Sequence, residues 1–348
     1  FDNSSIKENN QSLRAARGLN SNNASIRSET VRELKNLKNA VMSKFNSPDV
    51  TVVRQYEHLP LLHVRAKSAA QVRALQRNPK VIAIHENRKL RLFLSESLPQ
   101  IQQDKTLTLA ASGQGTSVAV LDTGVDYTRS AFGSCTAPSV PSGCRVVYSA
   151  DTAPDDGQLD ADGHGTNVAG IAAGVASASS IVSFDVFNGA FASTSDITEA
   201  IHGVIALKDS YNIVAINMSL GGDLYQDPCT GPPAWSNPFQ ASIDSARVNG
   251  ILTVAASGND AVTDAIGIPA CTPGVVSVGA VYDDNVGGLT WGGSSQCTDN
   301  STYADKITCF SNSASFLTML APGALSTAAG ITMGGTSQAT PHVSGAVA

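Results

Sequence analysis

After Gln100 the chain repeats one pattern that leaves few folds open: short runs of uninterrupted apolar residues, separated by stretches with helical spacing. The apolar runs are TSVAVLD, RVVYSA, SIVSFDVF, NIVAINMSL, ILTVAAS and GVVSVGAV. A strand that is apolar on both sides must be covered on both faces, which is the situation of a parallel sheet between two helix layers. HGTNVAGIAAG, SDITEAIHGVIALKDS and NPFQASIDSARVNG supply helices, the last closed by the C-cap signal Asn249-Gly250. The expectation is one α/β domain over 105–348.

The first hundred residues follow another grammar. Residues 1–27 are rich in Asn and Ser with little apolar periodicity, so they are expected to be disordered. From Ser28, the positions Val31, Leu34, Leu37, Val41 and Phe45 lie at spacings of three and four, one face of a helix. VTVVRQYEH and PLLHVRAK then read as short strands, SAAQVRALQRNP as a helix stopped by Asn78-Pro79, and KVIAIHEN as a further strand. These elements form a small α+β unit over 28–90, and 91–104 reads as a linker. Before Pro99 there are 17 Lys and Arg against 8 Asp and Glu; after it there are 6 against 21. A net +9 unit tethered to a −15 domain associates with it, and salt weakens that attraction.

Several classes drop out. No window approaches the roughly 18 consecutive apolar residues of a membrane span, and the acidic larger part argues against a nucleic-acid surface. The six cysteines all lie after residue 130, with no CxxC pair and no zinc spacing. Short loops favour Cys135 with Cys144 and Cys297 with Cys309, leaving Cys229 with Cys271; six free thiols in a cytosolic protein, or another pairing, stay open. Disulfides favour export. The chain opens at Phe1 without Met or an apolar leader, so a signal peptide is expected upstream.

Three residues at element ends carry the chemistry. Asp122 follows an apolar strand and precedes Thr123-Gly124, His164 sits in Asp162-Gly163-His164-Gly165-Thr166 at a helix start, and Ser337 in Gly334-Gly335-Thr336-Ser337 stands before ATPHVSGAVA. Singly, each has an ordinary explanation: a turn cap, a structural histidine, an N-cap serine. Together they describe a weak hydroxyl nucleophile, the base that takes its proton, and the carboxylate that holds the base. The serine lacks the GxSxG elbow of α/β-hydrolase esterases.

Five ordered motifs, VAVLDTGVD, DGHGTNVAG, NMSLGG, AASGND and GGTSQATPHVSG, span 115–348. Through them this part resembles the subtilisin-like serine peptidases, whose chain order Asp, His, Ser it shares. The resemblance implies Asp122, His164 and Ser337 as the triad and Asn259 as side-chain donor to the oxyanion. It implies Ser219, Leu220, Gly221 and Gly222 as the edge that pairs with an extended peptide, and Ala255, Ala256, Ser257 and Gly258 as the opposite wall of the S1 pocket. Ile268-Pro269-Ala270 matches a turn near S1 in which the proline is commonly cis. The basic unit resembles the family's ferredoxin-like propeptide, an inhibitor and folding assistant, which implies self-cleavage between Glu86 and Leu98. The expected protein is therefore a secreted endopeptidase made as a zymogen, a monomer whose partners are peptide substrates and its own propeptide.

The sequence departs from the family at Asn167, where a second histidine is usual, and at Ser177, where a proline is common. Subtilisin-like domains also continue past the point reached at Ala348, so the domain is expected to be incomplete there. The chemistry requires no cofactor, while Asp155, Asp156, Asp160 and Asp162 form a cluster dense enough to hold a structural Ca²⁺. The main rival from another class is a catalytically silent subtilase fold that binds without cutting; a third reading makes residues 1–96 a stand-alone inhibitor.

Overall fold

The computed structural model describes residues 1–17, 24–44, 49–85, 87, 89–92, 112–230, 237–292 and 296–348. The linker expected over 91–104 lies outside them from residue 93 on, as do residues 93–98 of the stretch in which self-cleavage is expected.

The N-terminal unit comprises α1 (Ser4–Arg17), α2 (Ala24–Met42), β1 (Val50–Gln55), β2 (Leu62–Ala66) and α3 (Ala69–Gln76). Strands β1 and β2 pair antiparallel. Two expectations differ from what is observed. Residues 4–17, expected to lack structure, form a helix because a tertiary partner supplies what local periodicity does not: Ile6 is buried, and Asn9 Nδ2 donates to Glu33 Oε1 on α2 at 2.8 Å. Residues 81–85, expected as a strand, have no regular structure. Val81, Ala83, Ile84 and His85 line a cavity of about 610 Å³ with Tyr56, Leu61 and Leu62, and Ile82 is 65% exposed.

Next come β3 (Lys89–Leu92), β4 (Ser117–Asp122), β5 (Val146–Asp151), α4 (His164–Val175), β6 (Ser180–Asp185), β7 (Phe187–Asn188), β8 (Phe191–Ser193) and α5 (Thr194–Tyr211). After them follow β9 (Ile213–Met218), β10 (Leu220–Gly221), β11 (Leu224–Tyr225), α6 (Gln240–Val248), β12 (Leu252–Ala256), β13 (Ile266–Gly267) and β14 (Val275–Val281). The chain closes through the hairpin β15 (Leu289–Trp291) and β16 (Cys297–Asp299), then β17 (Met319–Pro322), the hairpin β18 (Ser326–Ala328) and β19 (Ile331–Met333), and α7 (Thr336–Val347).

The core is a seven-stranded sheet in the order β17-β14-β12-β9-β4-β6-β5, parallel throughout. Every residue of β4 is buried, as the apolar runs require. α4 and α7 pack against each other, and α7 also covers β9, β12, β14 and β17, while α5 and α6 are the neighbours of β9 and β12. Helix α4 carries Gly, Ala, Val and Ile on every side and is buried almost throughout, the condition of a helix enclosed by protein. Cys135–Cys144, Cys229–Cys271 and Cys297–Cys309 are joined as disulfides, the pairing that the short loops favour.

The N-terminal unit sits against α5. Arg54 pairs with Asp196 at 3.0 Å and donates to Thr152 O, while Tyr56 Oη donates to Ser195 O. The Asn87 amide brackets Ser195, accepting its N–H at 2.7 Å and donating to its Oγ at 2.9 Å. Beyond this contact the backbone of β3 enters a second, four-stranded sheet in the order β10-β3-β8-β7, antiparallel to both of its neighbours.

Candidate active site

Strands β4, β6 and β5 end in register, so Asp122, Asp185 and Asp151 stand side by side at their carboxyl ends. This is the edge at which open α/β sheets gather ligands. Helix α4 starts against the same edge because residue 165 has no side chain: a Cβ there would lie 2.1 Å from the carbonyl oxygen of Gly124 and 3.1 Å from the Asp122 Cβ. His164, the first residue of α4, is thereby placed so that its Nδ1–H donates to Asp122 Oδ1 at 2.7 Å, and neither side chain is exposed. Thr123 N–H also donates to that oxygen, at 2.9 Å.

Burial acts to lower the pKa of His164, but the charge and hydrogen bond of Asp122 outweigh it and, with Asp162 and Asp160, raise it above the ordinary histidine value. Its Nε2 has no hydrogen-bond partner among the described residues. That nitrogen is the lone pair a general base needs. His342, the other histidine of this buried region, is unlike it. Burial pushes it down to about 4, and its Nδ1–H donates to the Gln338 carbonyl, with no carboxylate behind it.

Ser337 is the second residue of α7. Pro341, four residues on, has no N–H to give to the Ser337 carbonyl. Ser219 Oγ donates to that carbonyl instead, at 2.6 Å, and Ser337 Oγ donates to Ser219 O at 3.1 Å. Two reciprocal bonds thus clasp the serine to the residue that precedes β10. Asn217 Nδ2 donates to Ser219 Oγ and its Oδ1 accepts from Ser344 Oγ, tying β9 to α7 behind the clasp. The serine and histidine helices are joined one residue beyond Ser337: Gln338 Nε2 donates to Asn167 Oδ1 at 3.1 Å, three residues past His164. Asn167 Nδ2 in turn donates to Ser326 O and Ile331 O, which is how the asparagine at this departure from the family pattern is satisfied.

Asn259 lies just past β12. Its Oδ1 accepts both the N–H of Thr336 at 2.8 Å and its hydroxyl at 3.0 Å, which turns Nδ2 away; Nδ2 is buried without a partner among the described residues. An amide anchored by its oxygen, with its N–H groups uncommitted beside a serine at a helix N-terminus, is arranged to receive a developing negative charge. Gly258 has φ +114°, and a Cβ there would lie 2.2 Å from Asn312 Nδ2, so the wall can pass here only as glycine. Asn312 fixes the turn that follows, accepting the N–H groups of Asp260 and Val262.

Of the residues expected to hold substrate, Ser219, Leu220 and Gly221 form and precede the edge strand β10, and Gly222 N–H donates to Ile268 O. Ala255 and Ala256 end β12, and Ser257 and Gly258 continue it. Gly267 N–H donates to Ser257 O, so the two walls are linked through β13, and Ile268-Pro269 is cis. Leu220 faces Leu92 and Gly221 faces Arg91 across the antiparallel pair with β3. In the acidic loop, Asp155 and Asp156 accept N–H groups of Gly157 and Gln158, and Asp160 accepts from the start of α4. Among the described residues no three His, Cys, Asp or Glu side chains gather in a way that could hold a metal ion.

Thr336 and Thr123 do not stand out as functional by their place in the sequence, and Asp160 does so only as a member of the acidic cluster. Thr336 carries one local signal, its position directly before the serine; the other two matter only through partners brought to them by the fold.

The Subtilase family profile matches residues 113–348. The alkaline proteinase of Hapsidospora chrysogena is 31% identical over 252 residues, 68% of this chain and 52% of that protein. Subtilisin E of Bacillus subtilis is 30% identical over 298 residues, 80% of this chain and 67% of that protein. The chain spans about half the length of the first of these relatives. Among solved structures, a lanthipeptide protease shares the fold with a TM-score of 0.51 at 18% identity, over 70% of this chain and 75% of that one.

Proposed function

The chain belongs to the subtilase family of serine peptidases, and from that premise we propose that it is a secreted endopeptidase, made as a self-processing zymogen, that cuts extended peptides through an acyl-enzyme. The observation that carries the reading is the buried Asp122–His164 pair at 2.7 Å, with Nε2 uncommitted, in the site where α4 and α7 bring Ser337. In the proposed reaction Ser337 Oγ attacks the substrate carbonyl carbon while His164 Nε2 takes its proton. The oxyanion is received by Asn259 Nδ2 and the Ser337 N–H. His164 then gives the proton to the leaving amine, and water, deprotonated by the same nitrogen, releases the acyl group. Asp122 keeps Nδ1 protonated and compensates the imidazolium.

Substrate binds in this reading as an added strand between β10 and β8, with main-chain hydrogen bonds on both sides. The chain's own β3 holds that place. The N-terminal unit acts as an inhibitor and folding assistant, delivered by its contacts with Ser195 and Asp196 and by the charge difference between the two parts. The three disulfides support an oxidising, extracellular destination. The pairing of β3 steps from Gly221–Arg91 to Leu220–Leu92, and the next residue on the groove side is Ser219, whose carbonyl holds Ser337 Oγ. Carried one residue beyond Leu92, that count supports processing after Phe93, at the Phe93–Leu94 bond.

The test is to produce the full-length protein with and without Ser337→Ala and sequence the N-terminus of each product. The proposal expects a wild-type product beginning at Leu94 and an uncut Ser337→Ala chain. A purified Ser337→Ala protein cleaved at the wild-type rate would overturn it.

A further inference from the structure

Of the four carboxylates in the acidic loop before His164, none used by the proposed reaction, Asp160 is the most heavily bonded. Asp160 Oδ1 accepts Thr123 Oγ1–H at 2.9 Å, Gly163 N–H at 2.8 Å and Asp162 N–H at 3.2 Å. Its Oδ2 accepts Thr166 N–H at 2.8 Å and, in a short contact, Thr166 Oγ1–H. Five donors from three directions converge on one side chain. Thr123 follows Asp122 directly; Gly163, His164 and Thr166 are the first turn of α4 and its cap. The two sides are linked once more, because Thr123 Oγ1 accepts Gly165 N–H at 2.9 Å while Thr166 Oγ1 accepts Asp126 N–H at 2.8 Å. Gly163 has no side chain with which to cap α4, and the carboxylate of Asp160 receives the Gly163 and Thr166 N–H groups at this end while Thr123 Oγ1 receives that of Gly165.

We propose that Asp160 is a positioning residue of this site: its carboxylate ties the strand end bearing Asp122 to the helix start bearing His164 and so fixes the geometry of the pair. The role rests on the reading of the site as a serine peptidase. A carboxylate is needed because every neighbour is a donor. An amide in its place would turn an N–H group toward either Thr166 or the Gly163 and Thr123 donors, and one side of the tether would open. The charge has a second effect. Asp122 first, then Asp162 and Asp160, are the groups whose negative charge favours the protonated imidazolium of His164, against its burial. Loss of one of them moves the proton affinity of the base downward.

Three variants of the full-length protein separate these effects, read as kcat, KM and the acid limb of kcat/KM against pH. Asp160→Asn is expected to lower kcat about a hundredfold, the scale for a reacting group displaced by about 1 Å, with KM close to wild type and the acid limb moved to lower pH. Asp160→Glu keeps the charge and loses the placement, so kcat falls while the limb stays. Thr123→Val cuts the tether on the strand side with the charge intact and gives the same signature as Asp160→Glu. Asp160→Asn with kcat within about threefold of wild type, a difference of under 1 kcal/mol, overturns the proposal, as does a loss of activity with the limb unmoved. Should Asp160→Asn fail to fold, Thr123→Val decides: wild-type kcat overturns the tether. An inactive wild-type protein, with no reaction of Ser337 toward a fluorophosphonate, would remove the underlying reading itself.

Discussion

Thr336→Val tests how the oxyanion donor is held. In the folded protein Asn259 Oδ1 has two anchors, the N–H and the hydroxyl of Thr336, and the same hydroxyl accepts the buried Gly258 N–H at 3.1 Å. Valine fills the same space and keeps the N–H but removes the hydroxyl. Asn259 is left with one anchor of two, and its Nδ2 is free to swing. The loss lies between the net worth of one hydrogen bond, about 1 kcal/mol, and that of a whole oxyanion donor, about 3 kcal/mol, a magnitude established on subtilisin itself. In rate this is a fall in kcat of about 5-fold to 150-fold. KM should change little, since the interaction strengthens only as charge develops on the oxygen. The stranded Gly258 N–H also costs stability, about 1–3 kcal/mol, which a thermal melt reads as a drop of roughly 2–4 °C per kcal/mol. Steady-state kinetics on a chromogenic peptide gives the first number, and Thr336→Ser, which restores the hydroxyl, should recover most of it. Wild-type kcat in Thr336→Val would refute the argument that this threonine orients Asn259. A rise in KM at constant kcat would refute it equally.

Two predictions concern pH. The base works only as neutral imidazole, and Asp122 holds His164 above the ordinary histidine value despite burial, so kcat/KM should rise with pH along a limb centred above about 6.5; a profile flat from about pH 5 to 9 contradicts His164 as the base. At the contact with the N-terminal unit, burial keeps His58 below its ordinary value, and the ring beside it, His202, accepts the Glu57 N–H through Nε2 at 2.8 Å. A group of lowered pKa takes its proton more readily once released, so binding of the separated N-terminal unit should weaken as pH falls below about 6.5. Fluorescence titration of that unit against the processed domain measures this, with affinity independent of pH as the contrary result.

Much of the fold is legible in the sequence because it depends on local composition. Uninterrupted apolar runs such as SVAVL and IVAIN leave no face for water, so strands β4 and β9 and their parallel partners follow from pattern alone. Strand β17 escapes that reading because it is an edge strand whose Met319 and Leu320 are exposed, and its sequence does not differ from a loop. Helix α1 escapes for the opposite reason: its sequence is polar, with Ile6 and Leu13 its only large apolar residues, and Ile6 is buried while Asn9 bonds to Glu33. The stretch 81–85 reads as a strand in sequence yet has no regular structure in the fold, where Val81, Ala83, Ile84 and His85 line a cavity.

The candidate site divides in the same way. Asp122, His164 and Ser337 stand out because each occupies an element end between small residues, and the family motifs join them. The residues that hold them do not stand out, since a threonine or aspartate in a turn is ordinary until its partners are known. Thr336 becomes an anchor only when β12 delivers Asn259 beside it, and Asp160 only when β4 delivers Thr123. Pro341 is similar: in sequence it reads as an interruption of a helix, but in the fold it frees the Ser337 carbonyl for Ser219.

The central claim is that Ser337 is a nucleophile activated by His164 and held covered by the chain's own N-terminal part. A fluorophosphonate probe applied to the self-processed full-length protein, followed by peptide mapping, tests it most directly. The account predicts label on Ser337, blocked by adding residues 1–93 in trans and lost in His164→Ala. Folded, processed protein that takes no label would contradict it and leave a subtilase fold that binds peptides without cutting them.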